Sequence, residues 1–377
     1  MELINGTKLA LNAIQVLDKQ GQPWLVVFAK GTYRIPRSDG VPELAETQRG
    51  LLFKDVFEGE EGLSTPLFEN DLVPSKPACD VFVKGSAHAP QGKEVTELNV
   101  GLMVGPIKKV LRVVGNRHWV KTFGGYEPSR PEPFVEMPVT YGRASGGLLD
   151  GKAIGSDDPR DFLAHPANLV GCGYARGKFL RLIEGHPVPN VEALDSPVED
   201  PEKLQAPASL GPIARNWTPR LAFAGTYDQH WQDEIFPLLP PDFDERFYQC
   251  APADQQMPYP QGGEEVTLLN LSSGGGLTRF HLPDLTLPMV VLTRHREQAR
   301  LSPIVDTIAV DADAGTFDLV WRARMPLKRS LHEVEVIAAG SVCKRWWKSR
   351  VFGSGDCGCG GIEIDDEDLA PVTEALV

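Results

Sequence analysis

The sequence predicts a mainly β protein, built of antiparallel sheets as sandwich- or barrel-like modules with a few short helices and much irregular chain. Strand-like runs of about ten residues recur between short turns, the pattern of sandwiches and barrels. Proline and glycine, 32 and 37 of the 377 residues, are spread along the chain, and proline is excluded from helix interiors and central strands. Apolar residues at 42 % and charged residues at 24 % are ordinary for a globular protein with its own core.

Trp24 to Ile35 is the clearest strand, rich in β-branched and aromatic residues and ending at Pro36. Leu9 to Leu17, closed by the polar turn Asp18-Lys-Gln-Gly21, pairs with it as a hairpin. Ser38-Asp39-Gly40 is a turn, Leu51 to Phe57 a further strand, and Glu58 to Ser64 an exposed acidic loop. Cys79 to His88 alternates apolar and polar residues. Glu94 to Val104 and Lys108 to Val120 follow, parted at Gly105-Pro106 and turning near Gly115-Asn116, and Phe134 to Arg143 closes the series. Asp158-Pro159 has the chemistry of a helix start, which His165-Pro166 ends. A Pro- and acid-rich passage from Glu192 to Gly211 places a boundary near residues 205–211. Beyond it, Glu264 to Leu271, Leu277 to Leu282 and Met289 to His295 are strands. Val305 to Val310 and Thr316 to Met325 form a hairpin across Asp311-Ala-Asp-Ala-Gly315. Glu333 to Ile337 alternates like a strand, while Ser330 and Glu333 fit a helix cap equally well. Three units result: a β-rich module over 1–210, the aromatic segment and second sheet over 211–340, and a tail over 341–377.

Arg215 to Gln256 is the stretch around which the chain is organised. It holds eight aromatics between Trp217 and Tyr248, prolines at 219, 237, 240, 241 and 252, and acids alternating with Arg220 and Arg246. Each ring buries about 150–250 Å², so the segment packs through side chains rather than through regular backbone. It is a seam between sheets, a recognition surface, or both. Asp228 caps a short helix through Trp231 and Ile235, and Asp242 to Glu245 opens another through Gln249. As a recognition surface it would present an aromatic groove from Trp217 to Trp231, with Tyr227, Trp231 and Phe243 as anchors and Arg220, Asp228, Arg246 and Asp254 setting polar register. In the tail, Lys344-Arg-Trp346-Trp347-Lys-Ser-Arg350 is a basic-aromatic cluster in an acidic protein. Glycines carrying Cys357 and Cys359, then an acid run from Glu363 to Asp368, follow it. The tail reads as a mobile end or as a docking element in which Trp346 and Trp347 contact a partner.

The motif Gly225-Thr-Tyr-Asp-x-x-Trp231, then Pro237-Leu-Leu-Pro-x-Asp-Phe-Asp244 and Ala251-Pro-x-Asp-Gln-Gln256, is similar to the central signature of the domain-of-unknown-function family 2169 (DUF2169). Leu25 to Ile35, Pro77 to Gly85 and Val320-Trp321-Arg322 also resemble that family, so the likeness covers most of residues 1 to 325. The resemblance implies a bacterial protein encoded beside type VI secretion genes. It further implies a chaperone or adaptor that binds a toxin effector and helps load it onto the VgrG/PAAR spike. No catalytic residues come with it. An enzyme of hydrolase type acting on the secreted material, and a structural component of the spike, are the competing classes.

A net charge of −13 argues against nucleic acid and anionic membrane as partners, since both need clustered Lys and Arg. The N-terminus lacks a basic signal-peptide start, and no window of about 18 apolar residues occurs. Six scattered cysteines are not a secreted disulfide framework. These observations predict a reduced, cytoplasmic protein, with Cys79 and Cys250 as buried small hydrophobes. No cofactor or metal is expected. Gly171-x-Gly-x-x-x-Gly177 lacks a strong preceding strand and a capped following helix for a phosphate loop. Asp311-x-Asp-x-Gly315 misplaces the EF-hand glycine, and Cys357-x-Cys359 is one residue too tight for a zinc knuckle. Neither a Gly-x-Ser-x-Gly elbow nor a His-Glu-x-x-His motif occurs. Asp228, His230, Asp233 and Glu234 could supply an acid–base pair, but capping and the helix dipole account for acids there.

Overall fold

The computed structural model describes residues 1–36, 40–352 and 369–374. Strands from both halves of the chain meet in one six-stranded sheet. Its spatial order is Gln256–Met257, Cys79–Lys84, Ile304–Asp311, Thr316–Pro326, Pro23–Arg34, Ala10–Leu17. Neighbours run antiparallel except Cys79–Lys84 and Ile304–Asp311, which are parallel. A second sheet orders Val191–Ala193, Ile107–Val114, Glu97–Val104, Glu265–Leu269, Leu277–His281. A third orders Glu2–Gly6, Val334–Cys343, Met289–Thr293, Gln298–Leu301, with Leu369–Pro371 paired to the end of Val334–Cys343. The chain is thus mainly β with several antiparallel sheets, none of them closed into a barrel among the described residues.

Alternation decides what each face of the central sheet meets. Leu25, Val27 and Ala29, Val81 and Val83, and Phe317, Leu319 and Trp321 point one way. They share a core with Leu102, Val266 and Phe280 of the second sheet and Val291 and Ile337 of the third. The boundary expected near residues 205–211 therefore does not divide two cores, because strands from both sides of it fill this one.

The opposite face carries charge. Lys30, Asp80, Asp306, Asp318 and Arg322 project from strands and are all nearly inaccessible. Lys30 Nζ donates to Asp71 at 2.9 Å and lies 3.7 Å from Asp318. Arg322 pairs with Asp306, donates to the Asp71 and Val73 carbonyls, and lies over the Phe28 ring at 4.8 Å. Lys76 Nζ reaches Asp80 at 2.7 Å and Thr307 Oγ1 at 3.0 Å. Burial would pull the Lys76 pKa down, but Asp80, Cys250, Asp306 and Glu69 more than offset it and raise it. The space left among Lys30, Asp71, Lys76 and Thr307 is about 10 Å³, room for one water.

Several elements depart from the sequence reading. Asp158 accepts from the Arg160 N–H at 2.9 Å and closes a turn into the strand Phe162–Ala164, so no helix forms there. Phe134 to Arg143 shortens to the strand Glu136–Pro138 and a 3-10 turn. The second central helix is the 3-10 turn Glu245–Tyr248 capped by Asp244, because Asp242 is engaged by Thr226. Ser330 and Glu333 form a capping box that leads directly into Val334–Cys343, so cap and strand are both realised. The basic-aromatic cluster is the helix Lys344–Phe352, whose Trp347 packs on Val290, Leu292, Val336 and Ala338 of the third sheet. Ser38, Asp39, Cys357, Cys359 and the Glu363 to Asp368 run lie outside the described residues.

Removing one partner of a buried ion pair strands the other charge in the interior. Arg322→Met should cost about 3–5 kcal/mol in equilibrium urea unfolding, and adding Asp306→Leu should recover much of it. A single-variant loss within about 0.5 kcal/mol, the range of surface changes, would refute the structural role of the pair.

Candidate functional site

The aromatic stretch begins and ends in the buried charge layer. Arg220, although predicted at the surface, is interior. Its guanidinium donates to both Glu69 oxygens at 2.8 Å, to the Ile213 carbonyl at 2.9 Å and to the Phe247 carbonyl at 2.8 Å. Arg215 adds a second cation to Glu69 at 2.6 Å and reaches Asp55 at 3.0 Å. At the far end, Asp80 accepts from Gln249 Nε2 at 2.6 Å and from the N–H groups of Cys250 and Ala251 at 2.8 and 3.2 Å. Gln255, fully buried, donates to the Val81 and Leu210 carbonyls. Arg220, Glu69 and Asp80 pin the arm from the interior, while Arg215 keeps 32 % of its side chain exposed.

Between those pins, three rings project. Tyr227 and Trp231 meet edge-to-face with centroids 4.7 Å apart, and Trp231 and Phe236 at 5.6 Å. Tyr227 is 49 % and Phe236 67 % exposed, and Leu221 on the preceding helical turn is 54 % exposed. Trp231 is half-buried, with its indole N–H donating to the Leu238 carbonyl at 2.9 Å. Asp228 accepts from the Trp231 N–H at 2.9 Å, so it caps the turn Trp231–Ile235. Gly225 adopts φ +82, and a Cβ there would stand 3.0 Å from the Phe243 nitrogen and the Pro240 side chain. That close approach, with Thr226 donating to Asp242 at 2.8 Å, folds the arm back on itself.

The remaining predicted contact residues separate by burial. Trp217 is fully buried edge-on against Tyr141 at 5.1 Å, and Phe243 and Trp347 are also interior. With Arg220 they cannot touch a partner in this fold, since packing has consumed their surfaces. Arg246 is exposed, lies over the Phe223 ring at 4.2 Å and pairs with Asp244 at 2.6 Å. Asp254 is exposed and paired with Lys109 at 3.0 Å. Trp346 is half-buried beside Trp347 and under Arg350 at 5.2 Å. Phe236 and Leu221 were missed as contacts, because nothing in the local sequence says which apolar side chains lack a distant cover.

The glycines at 171 and 173 have a packing cause. Asn168, fully buried, donates to the Tyr141 and Ser145 carbonyls at 2.8 and 3.0 Å. A Cβ on Gly171 would sit 2.4 Å from its Nδ2, and one on Gly173 2.4 Å from Pro189. A cleft of about 370 Å³ opens beside them, lined by Gly146, Cys172, Tyr174, Phe179 and Ile183. Burial pushes the Cys172 thiol up to about 11. Among the described residues, no three His, Cys, Asp or Glu side chains converge as metal ligands would, and no helix is long and apolar enough to cross a membrane.

The family described as "Uncharacterized protein conserved in bacteria (DUF2169)" matches residues 20–322. No curated protein and no solved structure matches the chain.

Burial pushes the Glu69 carboxyl up, but Arg220, Lys76 and Arg215 outweigh it and hold it below its ordinary value of 4.5. A group depressed on folding contributes stability that is complete above its unfolded value and is lost as pH falls through the folded one. Glu69→Gln should therefore cost about 3–5 kcal/mol near neutral pH, and the gap to the native chain should narrow as pH is taken below 4.5. Thermal unfolding over a pH series measures it, and a gap that widens in acid would exclude the ion pairs as its source.

Proposed function

The chain belongs to the DUF2169 family, and on that footing we propose that it is a non-catalytic adaptor that grips a secreted effector polypeptide. In this reading it holds a type VI toxin effector in the bacterial cytoplasm and hands it to the VgrG/PAAR spike. The observation that carries the reading is the projecting cluster of Tyr227, Trp231 and Phe236 on an arm stapled at both ends. Tyrosine and tryptophan are the residue types that anchor interfaces, and exposed apolar clusters mark them. Three rings already in mutual contact lose little freedom when a partner covers them, so more of the contact energy appears as affinity. The acids beside them are engaged in local structure. Asp228 caps a turn, Asp233 accepts from Gln229 at 2.9 Å, and Glu234 stands 3.7 Å from His230.

Tyr227→Ala and Phe236→Ala truncate exposed rings, so each should change stability by no more than about 0.5 kcal/mol. In pull-downs of the tagged full-length chain from its native host, read by mass spectrometry, each should lower the recovered effector about tenfold, or about 1.4 kcal/mol. Undiminished recovery by both variants would remove the ring cluster as the grip. Recovery of the chain itself in secreted fractions would favour a spike component over a cytoplasmic loader.

A further inference from the structure

A second surface runs against the charge of the whole chain. A groove of about 770 Å³ lies between the hairpin turn after Met289–Thr293 and the segment from Met325 to Glu333. Arg294, His295, Lys328, Arg329 and His332 line it, all exposed, in a protein with 38 Lys and Arg against 51 Asp and Glu. Two acids also line it, and both are engaged. Glu333 accepts from the backbone N–H groups of Lys328, Arg329 and Ser330, and Glu297 lies 3.8 Å from Lys328 Nζ. Among the described residues no carboxylate lies within ion-pair distance of Arg294 or Arg329.

One side of the groove is the strand Gln298–Leu301, the edge of the third sheet. Thr293 donates to the Glu297 carbonyl at 2.9 Å, and the register then runs Leu292 to Gln298, Val291 to Ala299 and Val290 to Arg300. Antiparallel pairs alternate between bonded and non-bonded, so the N–H and C=O groups of Gln298 and Arg300 face away from the sheet. The side-chain oxygen of Gln298 is shielded from solvent and has no hydrogen-bond partner. Ala299, Met325 and Pro326 supply apolar surface in the same groove.

We propose that this groove docks an extended acidic polypeptide segment of a partner protein by strand addition to Gln298–Leu301. The segment's carboxylates meet Arg294 and Arg329, and its alternate apolar side chains rest on Ala299, Met325 and Pro326. A phosphodiester chain fits less well: it answers the cations but offers only acceptors, whereas a strand edge presents donors and acceptors in turn. The proposal shares with the adaptor reading only that the occupant is a polypeptide, and it uses none of the residues of the ring cluster.

The test is fluorescence anisotropy of the full chain with a dye-labelled peptide of about ten residues alternating glutamate and valine. Binding should weaken at least about tenfold in the Arg294→Glu/Arg329→Glu double variant and on raising salt from roughly 50 to roughly 300 mM. Methylating the peptide's backbone nitrogens should weaken it similarly, while Phe236→Ala should leave it unchanged. Failure of the acidic peptide to bind would overturn the proposal, as would equal binding of a lysine–valine peptide or of a single-stranded oligonucleotide of equal charge. Loss of peptide binding in Phe236→Ala would move the site to the ring cluster. An intact groove with no effector recovered by pull-down would instead count against the adaptor reading alone.

Discussion

The carboxylate of Asp80 can be buried only because four donors surround it. It is the second residue of the strand Cys79–Lys84 of the central sheet, with no exposure at all. An ionised carboxylate there is intolerable without compensation, so Lys76, Gln249 and the N–H groups of Cys250 and Ala251 must be in place when the sheet is. Two of those donors are backbone groups of a segment about 170 positions away in the chain. The requirement therefore fixes the course of the chain, not merely a side-chain contact. The same logic repeats at Lys30 with Asp71, at Arg322 with Asp306 and at Arg220 with Glu69. Apolar packing on one face of the sheet supplies burial, and charge pairing on the other dictates which loops lie there.

This division explains how an irregular, proline-broken arm can be stiff. Backbone without sheet or helix has no ladder of its own, yet Arg215 to Ala251 is held by charge-assisted bonds at both ends, to Glu69 just after the strand Pro66–Phe68 and to Asp80 of the central sheet. Such bonds are about twice as strong as neutral ones. The middle of the arm is then free to present rings outward without the segment collapsing onto the core. The motif residues that resemble the family divide accordingly. Asp80, Gln255 and Arg322 belong to the fastening, while Tyr227 and Trp231 belong to what is fastened.

Much of the architecture was legible from pattern. The hairpins Ala10–Leu17 with Pro23–Arg34 and Ile304–Asp311 with Thr316–Pro326 follow from β-branched runs flanking polar turns. The merging of the two expected modules was not legible, because strand order between distant segments leaves no local mark. A signal for the charged face was present: Lys30, Asp80, Asp306 and Arg322 interrupt otherwise apolar runs at alternating positions. Charge recurring inside a strong strand is costly unless paired, so such residues on several strands imply one shared layer. For the rings, residue type was readable and exposure was not. Trp217 and Trp231 look alike in sequence, yet Tyr141 covers the first, while among the described residues Tyr227 and Phe236 beside the second stay exposed. Likewise Asp158-Pro159 has an N-cap acid and a proline at the first helical position, and the strand partner Leu148–Asp150 wins the following residues for a sheet.

Where the exposed apolar and basic residues fall bears on the proposal that this acidic protein holds a polypeptide. A chain of net charge −13 repels acidic partners at long range, and screening confines that repulsion to about 8–10 Å near physiological salt. Rings make contact with little dependence on the sign of a partner's charge, whereas Arg294 and Arg329 favour one sign at short range. A partner segment would therefore have to come close before the cationic groove could select it. Affinity from uncharged contacts and selection from local charge would then reside in different residues of the same scaffold. The rings depend on the buried charge contacts that fasten the arm at its two ends.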